Sequence, residues 1–426
     1  MDKETSTAFK ITFSYLVIIH IILLISIKFD ILILKPFPVI EFLSVWVIFF
    51  LIKNNFLANA LRNKQTLLFH TISISVVYNL VTIFCYFQPG NTYSILNYVY
   101  GIHYCILPIL LFYLVQLLPV NEVYVLLKRI LFLNFFMCFI GIFFFLLQPD
   151  FYTDYLKKLF IELNLTELWQ LYGRLQSYLG STSVGNVATV SFVLTYFLIK
   201  KSTFKFLYFF TFGITVIFTQ QRGPILLLLL AVLIIIINFL LNSSTIKKLI
   251  FFLILSISLL GLVKLYSSLL TDEVAEIFNY TFDKIANESN PAEVLSERSI
   301  GYVKAGQIIK MFPLGVGLGA SLSASEQASN SGLGQVVDAN FARILADTGI
   351  IGLFLFIAIL VLAFNTSIRS RSLLFFTITI LFYSFQALGT NVFDSFICIH
   401  LFWIFLGILN NKNNNIIWKQ SYLREG

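Results

Sequence analysis

The chain alternates between long apolar runs and short polar breaks, and the runs set the architecture. A helix rises about 1.5 Å per residue, so about 20 apolar residues cross about 30 Å of hydrocarbon. On that measure spans are predicted at 11–27, 31–52, 66–87, 94–118 and 130–147. Four more follow at 187–199, 206–219, 224–241 and 249–269, and three at 341–364, 373–389 and 392–409. The pattern predicts an all-α polytopic membrane protein with about twelve transmembrane helices and two long loops. Residues 1–147 hold the first five helices, 148–186 the first long loop, and 187–269 the next four helices. The second long loop, with short helices of its own, spans 270–340, the last three helices lie in 341–409, and 410–426 form a tail.

Composition narrows the classes further. The chain is 58% hydrophobic and only 12% charged, about half the charge of a soluble domain. That excludes a water-soluble globule, a disordered chain and a cysteine-dense disulfide scaffold. Transmembrane barrels alternate apolar and polar residues, whereas these runs are continuous. The net charge of +8 is spread over many short connections, so a nucleic-acid partner is not expected.

With the N-terminus placed in the cytoplasm, every short connection on that side is basic. Lys53, Arg62 and Lys64 lie in the first of these, then Lys128 and Arg129, then Lys200, Lys201 and Lys205. Lys247 and Lys248, and then Arg369 and Arg371, complete the series. Both termini are then cytoplasmic and both long loops lie on the outer face. The first residues lack a cleavable signal pattern, so the first span is expected to stay as an anchor. Cys85, Cys105, Cys138 and Cys398 have no metal-ligand spacing and are expected to pack. No metal or cofactor is predicted.

Polar residues gather in the two long loops, where compact proteins tend to keep functional segments. Val274, Ile277, Phe278, Phe282 and Ile285 recur at helical spacing and predict an amphipathic helix. Residues 299–312 read as another helix, stopped by Pro313. Gly315, Gly317 and Gly319 then alternate, which suits either a sharp turn or a close backbone approach to a phosphate.

Arg174, Arg222 and Arg298 stand apart from the cytoplasmic clusters. A guanidinium suits a phosphate bidentately, so arginines just above the bilayer could hold a diphosphate whose lipid tail stays in the membrane. Simpler roles are headgroup snorkelling for Arg222 and surface pairing for Arg174 and Arg298. Asp338 leads into the tenth span, where a carboxylate also serves as a helix cap. Arg343 and Asp347 are spaced to pair with each other. Gly349 and Gly352 let a neighbouring helix approach. His103, near the outer end of its span, is a candidate base or a core histidine.

Four ordered stretches resemble one family. They are Gly173-Arg-Leu-Gln-Ser with Gly180 and Gly185-Asn; Gln221-Arg-Gly-Pro before a leucine-rich span; Glu297-Arg-Ser with Phe312-Pro-Leu-Gly-Val-Gly-Leu-Gly; and Asp338 with Asp347-Thr-Gly-Ile-Ile-Gly-Leu. The chain is similar to the bacterial O-antigen polymerase and ligase superfamily, Wzy and WaaL. The resemblance implies a GT-C-like fold and a metal-independent glycosyltransferase of the bacterial cytoplasmic membrane, working at its outer face. The implied substrates are undecaprenyl pyrophosphate-linked oligosaccharides, as donor and as acceptor, with the bilayer and a chain-length regulator as further partners. By resemblance Arg222 and Arg298, with Arg174, belong to the donor diphosphate, and Lys304 and Arg343 are further candidate binding bases.

Ligases carry a His eleven residues before the first Gly of the Gly-Ile-Ile-Gly stretch. Asp338 stands there, which is more like the polymerases, and its expected role is to orient the acceptor hydroxyl and take its proton. The Arg-x(15)-Gly period of some polymerases is met one residue late, at Gly315. The reading is therefore an O-antigen or capsule polymerase, with a ligase as the near alternative. A lipid-oligosaccharide flippase is the distant one, disfavoured because polar residues collect in the loops and no internal repeat is visible.

Overall fold

A computed structural model describes residues 3–29, 37–53, 66–162, 174–177, 181–199, 202–242, 291–321, 339–368, 374–389 and 396–411. The predicted ninth span, the amphipathic helix at 274–285 and Asp338 lie outside them.

All regular structure among the described residues is helical. The first helices are α1 (Lys3–Phe29), α2 (Phe37–Lys53) and α3 (Leu67–Val81), the last continued by a 3-10 turn at Thr82–Phe87. The fourth apolar run is broken into α4 (Leu96–Gly101), a π-turn at Ile102–Ile106 and α5 (Ile109–Val115). Then come α6 (Val120–Leu147), α7 (Asp150–Glu162), α8 (Ser181–Leu198), α9 (Ser202–Thr219) and α10 (Arg222–Asn242). The second long loop contributes α11 (Pro291–Met311), followed by α12 (Asn340–Ile368), α13 (Leu374–Gly389) and α14 (Phe396–Asn410). Among the described residues, five stretches are long and apolar enough to cross a bilayer: Thr7–Ile25, Leu67–Phe87, Leu96–Val115, Asn121–Leu147 and Asn340–Ile368. Six shorter apolar helices accompany them among the described residues.

The apolar faces show what surrounds the bundle. Phe132, Phe136, Phe139 and Phe143 recur at helical spacing on α6 and are each about half exposed or more. Such a stripe is costly in water and natural against lipid tails. Inside, α14 is buried along its whole length from Ile397 to Asn410. Gly407 lets it approach closely, since a Cβ there would lie 2.7 Å from the carbonyl oxygen of Phe112 on α5.

Lipid supplies no hydrophobic drive between helices, so buried polar pairs act as glue. Asn134 on α6 donates to Ser191 on α8 at 2.9 Å. At the far end of α14, Asn410 donates to Gln116 at 2.9 Å and Asn411 to the Leu118 carbonyl at 3.1 Å. These bonds tie α14 to the α5–α6 connection, at the end of the bundle opposite the site described below.

Several elements differ from their predicted bounds; α1 starts at Lys3, eight residues early, and α2 at Phe37, six residues late. The fifth helix begins at Val120, ten residues early, because Pro119 marks its start in extended conformation. Lys128 and Arg129 thus sit on α6 rather than in a connection. Lys128 lies over the Tyr124 ring at 4.4 Å and Arg129 over the Phe9 ring at 4.9 Å, so ring faces hold charges that the hydropathy pattern assigned to water. The first long loop contains the unpredicted helix α7, with Tyr152 and Leu156 buried on one side. It also gives up its last residues to α8, which starts at Ser181. The helix predicted at 299–312 starts at Pro291, favoured in a first turn, and ends at Met311 before Pro313.

Candidate functional site

Two polar centres form at the end of the bundle where α11 meets α12. The first is built on glycine. After Pro313, Gly315, Gly317 and Gly319 take φ of 85°, 114° and 87°, a region that L side chains rarely enter. Their turns aim successive N–H groups at the end of a broken helix. Within α12, Gly349 has φ 70° and ψ −170°, so a short helix over 340–348 ends there and a new one begins. The freed carbonyls of Ala346 and Asp347 accept from Val316 at 3.0 Å and Gly317 at 2.9 Å. Tyr78 donates to the Thr348 carbonyl at 2.7 Å.

The carboxylate of Asp347 fills the glycine loop. It accepts from the Gly319 N–H at 3.1 Å, the Ser321 N–H at 2.8 Å and the Ser321 hydroxyl. Backbone N–H groups converging on one point make an anion site, and here the anion is internal. Of the two readings of the alternating glycines, the tight turn is the one observed, and Asp347 occupies the cradle. Arg343, one turn earlier and only 2% exposed, bears electrostatically on Asp347. Asp347 also acts on Tyr93 in the nearby connection, whose hydroxyl pKa is raised by burial first and by that carboxylate second.

The loop is locked from the other side by the 3-10 turn that continues α3 and by the connection after it. Tyr86 donates to the Leu318 carbonyl at 2.9 Å, and Asn91 donates to the Val316 carbonyl at 2.8 Å. A Cβ at 349 would lie 2.6 Å from the Pro313 carbonyl oxygen. Gly349→Ala is therefore expected to lose about 1–3 kcal/mol through strain alone, seen as a lower Tm of the purified protein.

The second centre surrounds the start of α10. The chain leaves α9 at Thr219, turns through Gln220 at φ 52° and enters α10 at Arg222. Gly185 of α8 packs against this turn, since a Cβ there would lie 2.9 Å from Pro224 and 3.0 Å from the Thr219 hydroxyl. Thr189 donates to the Gly185 carbonyl at 2.9 Å. The Leu175 N–H donates to the Phe218 carbonyl at 2.9 Å, which sets half-buried Arg174 beside the same turn. Gly223 touches the Gln386 amide of α13, where a Cβ would overlap it. Two residues further on, the Leu388 carbonyl accepts from Tyr302 of α11 at 2.9 Å. Arg298 stands one turn before Tyr302, at a register position on the same face of α11.

The Arg174 segment and the start of α10 thus adjoin at the end of α9, while Tyr302, one turn from Arg298, reaches the end of α13. Lys304 lies half-buried further along α11. Asp338 precedes by two residues the start of α12. His103 is 2% exposed within the π-turn and interacts electrostatically with His400, which suits the core alternative.

Gln386 and Tyr302 escaped the sequence reading. An amide inside an apolar span was the available signal for Gln386, because such groups are expensive in lipid and face the protein interior. Asn186, part of the Gly185-Asn pair, is wholly buried, with neither amide atom paired among the described residues. An unmet buried amide costs about 1–3 kcal/mol.

The class defined so far is an all-helical, multi-pass membrane protein whose polar chemistry gathers at one end of the bundle. A family model described as O-Antigen ligase matches residues 207–357, from α9 through the broken start of α12. Over that stretch, about a third of the chain, the protein is similar to the O-antigen ligases of the Wzy/WaaL superfamily. No curated protein matches the chain.

Proposed function

We propose that the protein is a polysaccharide polymerase of the bacterial cytoplasmic membrane. It transfers a glycan from undecaprenyl pyrophosphate to a sugar hydroxyl of a second lipid-linked repeat unit, extending O-antigen or capsule on the outer face, with both termini in the cytoplasm. The observation that supports this reading is that the Arg174 segment adjoins the turn into α10 at Arg222, with α13 linking the start of α10 at Gly223 to α11 one turn after Arg298. Cations at a helix N-terminus suit a diphosphate, and the apolar helices below suit its lipid.

In the proposed step the acceptor oxygen bonds to the donor's anomeric carbon as that carbon's bond to the phosphate oxygen breaks. The hydroxyl proton passes to Asp338, and the diphosphate leaves on its lipid. Arg222 and Arg298 hold the charge that develops on the leaving group. Arg343 stays with Asp347 and keeps the neighbouring turn in place. A chain-length regulator is no part of this reading.

The test is purified full-length protein in vesicles loaded with labelled lipid-linked repeat units. A ladder of multiple repeats is expected, and Asp338→Asn, which keeps the shape and cap but not the basicity, should lower its rate by about 10²–10⁴. Full activity in that variant would leave Asp338 a helix cap only. The description of the matched family favours a ligase as the second reading. Transfer of finished glycan to a different acceptor, with no ladder from repeat units alone, would establish it.

A further inference from the structure

Asn186 stands where the second centre meets the apolar interior. On α8 it shares a face with Val190 and Val193, one and two turns further on, by helical register. Those two line a crevice with Leu227 and Ala231 of α10 and Thr379 and Phe382 of α13. Gln386 follows Thr379 and Phe382 on the same face of α13, and its amide meets Gly223. The crevice is mostly apolar along the bundle, and Asn186 and Gln386 follow its lining residues by register on α8 and α13, toward the first turn of α10. Gly185, the preceding residue, touches Pro224 of that turn. A wholly buried amide is positioned here for a partner that no described residue supplies.

Building on the function proposed above, we infer that Asn186 is a substrate-binding residue, its Nδ2–H donating to the diphosphate of the lipid-linked donor at the start of α10. The crevice below takes the first part of the lipid tail. The helix N-terminus and Arg222 supply charge, and Asn186 fixes the height at which the diphosphate sits.

The test uses full-length protein in nanodiscs titrated with undecaprenyl diphosphate and, as a control, undecaprenol, with thermal stability as the readout. Wild type should be stabilised saturably by the diphosphate and not by the alcohol. Asn186→Ala should bind the diphosphate about tenfold more weakly or worse, as expected on losing a hydrogen bond to a charged group, with its unliganded Tm no lower than that of wild type, because an unmet buried amide is removed. Asn186→Asp, facing the diphosphate with a like charge, should lose the stabilisation altogether.

Wild-type affinity in Asn186→Ala would overturn the inference while leaving the polymerase reading intact. So would a lower unliganded Tm with unchanged affinity, which marks a packing residue. A wild type indifferent to the diphosphate would overturn the polymerase reading itself, and the inference with it.

Discussion

Arg222→Ala and Arg298→Ala are each expected to lower the rate of glycan transfer by about 10²–10³, the usual loss when one preorganised charge stabiliser is removed. The fold should survive both changes. Position 222 opens a helix whose packing against α8 and α13 runs through Gly223 and Pro224. Position 298 lies one turn before the Tyr302 bond that fixes α11 to α13. Initial rates with lipid-linked repeat units, measured at saturating substrate, should fall with little change in Tm. Lysine at either place should recover part of the loss, because it returns the charge but not the planar fork. A rate unchanged in Arg298→Ala would remove that residue from the reaction. A collapse of Tm in Arg222→Ala would make its role structural.

Asp347→Ala is expected to cost about 3–5 kcal/mol, the usual result of removing one side of a buried charged arrangement. Three donors from Gly319 and Ser321 would lose their acceptor, and the nearby buried charge of Arg343 its counterpart. Ser321→Ala removes only one of the three bonds and should cost about 1 kcal/mol. Thermal or denaturant unfolding of the detergent-purified protein measures both. If Asp347→Ala kept wild-type stability and lost only transfer, the carboxylate would belong to the chemistry rather than to the turn.

The bilayer made much of the fold legible. It forces long apolar runs, so eleven predicted spans fall on apolar helices, five of spanning length and six shorter, while the predicted ninth lies outside the described residues. Pro313 ended α11 where its missing N–H predicts. The start of α6 was misjudged because a hydropathy pattern treats Lys128 and Arg129 as water-seeking, whereas ring faces hold them. Helix α7 was missed because its Asp, Lys and Glu residues interrupt the apolar positions, leaving an amphipathic pattern with no continuous apolar run.

For the site, local chemistry was readable and distant contact was not. The three alternating glycines announced a backbone that must turn sharply. That their N–H groups would close on Asp347, some thirty residues later in the chain, depends on tertiary packing that no spacing encodes. The arginines stood out by their separation from the cytoplasmic clusters. Gln386, which joins the start of α10 to the end of α13, was hidden in an apolar span.

The break at Gly349 divides α12 between two environments. The piece over 340–348 is anchored by the glycine loop and by Tyr78, while the piece over 350–368 runs on through the bundle. Membranes that thin or thicken are accommodated by helix tilt. Tilt of the longer piece can be absorbed at the joint, so the shorter one keeps its attitude toward the sugar chemistry whatever the lipid composition.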